Sequence, residues 1–221
     1  TLYGFELALE RYGVLGAIRA AGYPHLHLDL SLDHPTGERL RIHAADEPRA
    51  LLMELVLTES RDSPPYRMLS IEWLLLQSPR SRPSARRPLL PGQRHPGLGI
   101  LRPLVLVLVM MCERLQFDGL AFCPAHFHVA AQAHAILQFL HPEDAGRFAA
   151  INEALPGVNL AQATQLVHDH ALVDEATGER VSWKPAPMII PVSARARAHF
   201  EDPAYAAAVE AAAAALQIRR R

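Results

Sequence analysis

The order of apolar and polar residues predicts β-strands in the first third of the chain. Residues 25–33, HLHLDLSLD, alternate strictly, so their leucines lie on one face of an extended segment. Residues 39–44 and 50–60 follow after polar breaks, and residues 68–78 are apolar enough for a central strand. Short connections between such segments are typical of antiparallel strands.

Apolar residues that recur every three or four positions predict helices before and after these strands. They cover residues 2–23, 126–140, 142–155, 159–172 and 202–220. Residues 117–125 suit a short strand and residues 173–193 suit strands around a turn, whereas residues 100–116 fit either a buried strand or a helix. The combination predicts the α/β (α+β) class, with a mixed, mostly antiparallel sheet flanked by helices and a C-terminal extension of helices and strands.

Composition and charge exclude some classes of partner. Half of the 221 residues are hydrophobic, and the formal net charge of -1 gives no general reason to expect nucleic acid or an anionic membrane. The two cysteines, Cys112 and Cys123, lie in apolar segments and suit free, buried thiols in a reducing compartment. No secretory pattern opens the sequence, and the apolar run 104–112 is too short for a bilayer. We therefore expect a soluble cytoplasmic protein, with a homodimer left open.

A loop rich in Pro, Ser and Arg precedes the next apolar segment. Residues 79–91 have no apolar period, and long structureless loops in compact domains tend to be functional or disordered. The loop leads into residues 94–99, a basic turn with the pattern R-x-x-G-x-G. If a helix follows, its positive end and the amides of the turn can bind a pyrophosphate, because glycine lets the backbone approach the ligand. An ordinary Pro/Gly connection is the alternative.

This turn resembles the signature of the GNAT superfamily of acyl-CoA-dependent N-acyltransferases, which is Q/R-x-x-G-x-G/A between a strand and a helix. The element order over roughly residues 1–140 is also similar to the family order. The resemblance implies a GNAT-like acyl-CoA-binding core at residues 1–141, with residues 142–221 as an extension packed on the same domain. It also implies transfer of an acyl group from acetyl-CoA or another acyl-CoA to an amine of a small molecule or peptide.

The resemblance further implies where the cofactor binds. CoA would lie in a cleft between the strand ending near Gln77 and the strand at residues 120–123, with backbone groups of Leu75 and Gln77 beside the pantetheine arm. The pyrophosphate would lie against Arg94, His95, Gly97, Leu98, Gly99 and Ile100. Four arginines of the long loop would either meet the adenosine phosphate or remain solvated. They are Arg80, Arg82, Arg86 and Arg87.

The catalytic candidates differ from the family pattern. Members often carry an Asn at the start of the helix after the fifth strand and a Tyr later in it as general acid, and residues 124–140 contain neither. A non-catalytic GNAT-like protein that binds CoA is therefore an alternative. Glu72, flanked by apolar neighbours, is a candidate general base, since loss of water strengthens a carboxylate as a base. His126 and His128 are candidates for proton transfer. Each of the three also fits a structural role.

Two further groups of residues carry weaker signals. A zinc-dependent hydrolase is the third hypothesis, with Cys123, His126, His128 and His134 as ligands, although their spacing matches no established finger and no metal site is predicted. Glu54 has claims similar to those of Glu72. The remaining positions are predicted to be structural: residues 168–170, HDH, as an exposed helix end, Trp183 as core rather than the wall of an acceptor pocket, and residues 219–221 as a frayed end.

Overall fold

A computed structural model of the chain describes residues 1–46, 50–60, 65–84 and 88–221. The chain divides into two compact units, Thr1–Leu89 with Gln93–Leu120, and Leu90–Gly92 with Ala121–Arg221. The boundary between the two units falls between Leu120 and Ala121, inside a short strand. The sequence predicts a boundary after residue 141. The mixed α/β class predicted from the pattern, with mostly antiparallel strand pairing and flanking helices, is confirmed.

The first unit contains the predicted strands and two predicted helical segments. Its elements are α1 (Leu2–Arg11), α2 (Val14–Ala20), β1 (Leu26–Ser31), β2 (Glu38–Ala44), β3 (Leu51–Ser60), β4 (Met68–Leu76) and α3 (Leu101–Arg114), and β5 (Gly119–Phe122) spans the change of unit. Strands β1 to β4 pair antiparallel in chain order, as predicted. The leucines of β1 share a face with Leu40 and Ile42, which are buried, while Asp29 lies opposite Arg41 on the other face.

Strand β4 carries an irregularity in its pairing with β3. Val56 lies opposite Trp73, and Leu57 lies opposite Ile71, so Glu72 is an extra residue on β4. Such a bulge bends a strand and changes the direction of the side chain that it carries. The bulge places Glu72 and its neighbour Trp73, which is 53% exposed, at the surface of the first unit.

Two helical predictions for this unit are decided by the structure. The single helix over residues 2–23 is wrong in part: Tyr12 ends α1, and Gly13, with a φ of 78°, begins a separate helix α2. The ambiguous segment 100–116 is a helix, α3. Its buried residues recur at helical spacing, at Leu104, Leu108 and Cys112, so burial of one face against the unit outweighs the preference of its valines for strands.

The second unit is built from short helices and strands. It contains α4 (Phe127–Ala133), β6 (Gln138–Phe139), α5 (Pro142–Glu153), α6 (Leu160–His168), β7 (Leu172–Asp174), β8 (Arg180–Val181), β9 (Met188–Pro191), α7 (Ala194–Glu201), α8 (Pro203–Ala214) and β10 (Ile218–Arg220). Strand β6 pairs with β9, and β7 pairs with both β8 and β10, all antiparallel. Phe127, Phe139 and Phe148 form an aromatic centre of its core.

The structure corrects two predictions for this unit and adds one helix. The helix over residues 126–140 ends at Ala133, because residues 138–139 form β6 and bury Phe139. Residues 219–221 are not a frayed end, since Arg219 and Arg220 belong to β10 and pair with β7. Helix α7 was not predicted; the side chain of Ser193 caps it by accepting a hydrogen bond from the amide of Ala196 at 3.1 Å.

Candidate functional site

The predicted phosphate turn lies between β4 and α3 and is tied to the end of β4. The amide of Ser78 donates a 2.7 Å hydrogen bond to the carbonyl of Pro96. Gly97 and Gly99 are both exposed, and Gly99 has a φ of 75°, a conformation that favours glycine. Ile100, which is buried, then anchors the start of α3. The turn therefore presents glycine backbone to the surface between two fixed points.

The backbone amides of this turn are unused. Among the residues that the structure describes, the amides of Gly97, Leu98 and Gly99 have no hydrogen-bond acceptor. The amides of Leu101 and Arg102, in the first turn of α3, also have none, and no side chain caps the helix. A β-carbon built on Gly99 would meet no atom within 4 Å, so the space beside it is open. These backbone donors, at the positive end of a 14-residue helix, are suited to an anion.

The side chains predicted to surround the cofactor differ in their availability. Arg94 is exposed and His95 is half-buried. The guanidinium of Arg80 donates to the carbonyl of Gly22 and lies 4.9 Å from the centre of the Tyr23 ring, so it is held against its own unit. Arg82 is exposed, while Arg86 and Arg87 lie outside the described residues.

Buried Tyr23 fixes the first residues of the long loop. Its hydroxyl is 2.9 Å from the hydroxyl of Ser78 and accepts a 3.0 Å hydrogen bond from the amide of Arg80. Ser78 in turn contacts the hydroxyl of Ser81 at 2.8 Å. This network holds the point at which the chain leaves β4, before the turn returns to it at Pro96.

The residues predicted on β4 are arranged by its pairing with β3. Leu75 lies opposite Glu54. The amide of Gln77 donates to the carbonyl of Leu52 at 2.9 Å, and its side chain donates to the carbonyl of Leu51 at 2.8 Å. Both donors of Gln77 therefore stabilise the sheet. Glu72 is exposed on its bulge, so the burial that was expected to strengthen it as a base is absent.

The two predicted catalytic histidines belong to the second unit, where they form a stacked pair. His126 precedes α4, and His128 lies in its first turn with 2% of its surface exposed. Their ring centroids are 5.5 Å apart with an interplanar angle of 13°. Burial, with a smaller contribution from the charge of His126, lowers the pKa of His128 to about 4. His128 is therefore neutral at physiological pH, and its Nδ1 atom is enclosed without a partner among the described residues.

The zinc hypothesis finds no assembled site. Within the described part of the chain, no three His, Cys, Asp or Glu side chains are grouped so that they could hold a metal ion. Cys123 and His134 are exposed, while His128 is enclosed. His134 lies at the end of α4, with its ring 4.9 Å from that of Phe148. The four proposed ligands therefore do not converge.

A cavity in the second unit brings together residues that lie far apart in the sequence. It has a volume of about 200 Å³ and is lined by His126, by His168 and His170 of the HDH segment, and by Trp183. Trp183 is half-buried and packs against the core of the second unit, as predicted, and one side of it also lines the cavity. The lining comes from four distant parts of the chain. The sequence singles out His126 as a candidate and predicts the HDH segment to be an exposed helix end, but it does not connect the two.

Another cavity, of about 400 Å³, opens on the polar face of β1 and β2. It is lined by His27, Asp29, Arg41 and His43. In the strand pairing, His27 lies opposite His43 and Asp29 lies opposite Arg41. The guanidinium of Arg41 pairs with the carboxylate of Asp29 at 3.3 Å. Its two opposite charges thus already face one another.

Comparison with known proteins adds no family. No protein-family model matches the chain, and a search of curated proteins finds no significant match. The likeness to the GNAT superfamily therefore depends on the R-x-x-G-x-G turn and the element order. None of the helices in the described ranges combines the length and the apolar character that a membrane span requires.

Proposed function

We propose that this protein is an acyl-CoA-dependent N-acyltransferase in which residues 94–99 and the start of α3 bind the pyrophosphate of CoA. The observation that carries the proposal is the exposed glycine turn, whose amides have no acceptor among the described residues, directly before an uncapped helix. Buried amides are almost always paired, and exposed amides at a helix start bind anions readily.

The charge of the surrounding segment supports an anionic ligand. Residues 73–112 contain six arginines and no Asp or Glu, although the whole chain has a net charge of -1. Arg94 and Arg102, which are exposed, lie on either side of the glycine turn. A diphosphate beside this turn would gain both charge-assisted hydrogen bonds and the potential of the helix end.

In the proposed reaction, the amine nitrogen attacks the thioester carbonyl, the carbon–sulfur bond breaks, and the CoA thiolate leaves. The amine must lose a proton to a base, and the thiolate takes a proton from solvent. We assign the base to Glu72, because it is exposed on the bulge of β4 and so available to a substrate. His128 is a poor candidate, because it is enclosed and its pKa is far below neutrality.

Calorimetry and thermal unfolding with acetyl-CoA test the binding step. Acetyl-CoA should bind and raise the melting temperature, since a ligand of the folded state stabilises it. ADP should compete because it carries a diphosphate, whereas adenosine should not. The Arg94→Glu variant should bind at least about tenfold more weakly. Arg114→Glu, at the opposite end of α3, is the control and should bind normally. Absence of binding by the wild type would remove the proposal.

A non-catalytic CoA-binding protein is the second candidate. It is favoured by the enclosure of His128 and by the absence of the expected Asn and Tyr from residues 124–140, because the half-buried His126 before α4 is then the remaining predicted catalytic histidine. A thiol-release assay with a broad panel of amines distinguishes the two candidates. Turnover that is lost in Glu72→Gln, with acetyl-CoA affinity unchanged, supports the enzyme; binding without turnover supports the second candidate.

A further inference from the structure

The cavity of the second unit has a wall that is held in place by hydrogen bonding and ring packing. The indole nitrogen of Trp183 donates a 2.9 Å hydrogen bond to the carbonyl of Pro124. The Trp183 ring meets that of Phe127 edge-on, at 5.8 Å and 73°. Val167 and Pro91 add further apolar surface to the lining. One side of the cavity is thus a fixed aromatic and aliphatic surface, which is the usual environment of a small ligand.

The position of His126 in this cavity depends on a glycine. Gly92 packs so closely on the ring that a β-carbon at this position would lie 2.5 Å from Nε2 of His126. On another side, the ring of His126 is stacked on the ring of His128, which belongs to α4. His126 is therefore confined on two sides, with the cavity as a third.

Among the residues that the structure describes, the polar part of the lining contains hydrogen-bond donors and no carboxylate. It consists of the imidazoles of His126, His168 and His170, together with Thr164 and Ser182. Thr164 donates its own hydroxyl proton to the carbonyl of Leu160 at 2.7 Å. Asp169, between the two histidines of the HDH segment, is absent from the lining, and its carboxylate is bound by the side chain of Gln165 at 2.8 and 2.9 Å.

The geometry points to a binding site for a small organic carboxylate with an aromatic or aliphatic group, held between the three imidazoles and the Trp183 wall. Imidazole offers an N–H donor when neutral and two donors when charged, so three of them suit the oxygens of a carboxylate. A cationic ligand would find no carboxylate in the lining. A metal ion is disfavoured because these side chains form no metal-binding group. The inference does not depend on acyl transfer.

Fluorescence of Trp183 tests the inference directly. The chain has two tryptophans, so a Trp73→Phe variant leaves Trp183 as the only one. In that variant, benzoate at mildly acidic pH should change the emission along a saturable curve. Benzylamine, of similar shape and opposite charge, should not. Acetate should bind more weakly, because it lacks the ring that contacts the wall.

Variants of the HDH segment supply the matched comparison. His168→Gln combined with His170→Asn removes two imidazoles, and Asn suits position 170, where φ is 53°. Benzoate affinity should fall about tenfold or more, since hydrogen bonds to charged groups are among the strongest. His141→Gln, which changes an exposed histidine outside the lining, should leave affinity unchanged.

Three results would overturn the inference. They are no saturable response to benzoate in a folded protein, equal responses to benzoate and benzylamine, and unchanged benzoate affinity in a folded His168→Gln, His170→Asn variant. Circular dichroism of each variant establishes that it is folded. A stoichiometric Zn²⁺ response that disappears in the double variant would replace the carboxylate site with a metal site.

Discussion

At the scale of single residues, His128 shows how burial changes the chemistry of a side chain. Its ring is enclosed beside His126, and its pKa is lowered to about 4, chiefly by loss of water. In the unfolded chain, the pKa returns to about 6.5. The unfolded state therefore binds a proton at a higher pH than the folded state does. The stability associated with neutral His128 is complete above about 6.5 and is lost as pH falls towards 4.

This behaviour can be measured by chemical denaturation across that range of pH. The free energy of unfolding should fall as pH drops from about 6.5 to about 4, with His128 contributing a slope of at most about 1.4 kcal/mol per pH unit. His128→Leu should flatten the dependence, because leucine does not titrate. His134→Gln, which changes an exposed histidine at the end of the same helix, should leave it unchanged. An identical slope in wild type and His128→Leu would contradict the assignment.

At the scale of elements, the pairing of α5 with α8 depends on one glycine. A β-carbon on Gly146 would lie 2.6 Å from the β-carbon of Ala212 and 2.7 Å from the amide nitrogen of Ala213. Much of that contact is backbone, which has no rotamer to change. The two helices can approach this closely because α8 is rich in alanine and α5 has glycine at the crossing.

Replacing this glycine should therefore destabilise the second unit. Gly146→Ala gains helix propensity worth up to about 1 kcal/mol, but the overlap should cost about 1–3 kcal/mol and outweigh this gain, since overpacking forces the backbone to shift. Gly16→Ala is the control, because Gly16 also lies in a helix and a β-carbon there meets nothing within 4 Å. Gly16→Ala should be neutral or stabilising in denaturant unfolding. A stabilised Gly146→Ala variant would show that the helices can separate at no cost.

The strands and helices differ in how far the sequence alone predicts them. Alternation predicts β1 and matches the burial of β2, whereas β3 and β4 are apolar runs that bury adjacent residues. Residues 100–116 fit either a strand or a helix on pattern alone, because an apolar run has no period that separates a buried strand from a buried helix. The helix predicted over residues 126–140 includes β6, because Phe139 becomes a strand residue only through its pairing with Met188. Such long-range partners leave no local pattern.

The same limit applies to the candidate sites. The glycine turn at residues 94–99 is local, so its residues could be predicted as a unit. The cavity of the second unit combines His126, His168, His170 and Trp183, which are separated by up to 57 positions in the sequence. No spacing rule connects them, and their convergence depends on how α4 and α6 pack. Exposure of Glu72 on the polar face of its strand is the alternative that the sequence offers, but the bulge that carries it has no local pattern, because it arises in the pairing of β3 with β4.

At the scale of the whole molecule, charge is distributed unevenly. Residues 73–112 contain six arginines and no Asp or Glu, so every charged residue among them except histidine is basic. The remainder of the chain has 16 basic and 23 acidic residues. The near-zero total therefore conceals a basic segment of 40 residues within an acidic chain. A segment of one sign attracts anions over a distance set by the Debye length, about 10 Å at 0.1 M salt.

If the basic segment binds the diphosphate of CoA as proposed, binding of acetyl-CoA should depend on ionic strength. Affinity measured by calorimetry should fall severalfold between low salt and about 1 M salt, where the Debye length is about 3 Å. The combined Arg94→Ala and Arg102→Ala variant should bind more weakly at low salt and show a shallower dependence, because two of the exposed charges beside the turn are gone. Arg11→Ala, which removes an exposed charge at the end of α1, should retain the wild-type dependence. Equal affinity of the wild type at both salt concentrations would mean that any CoA contact is not made through the basic segment, and the diphosphate would then have to be held elsewhere.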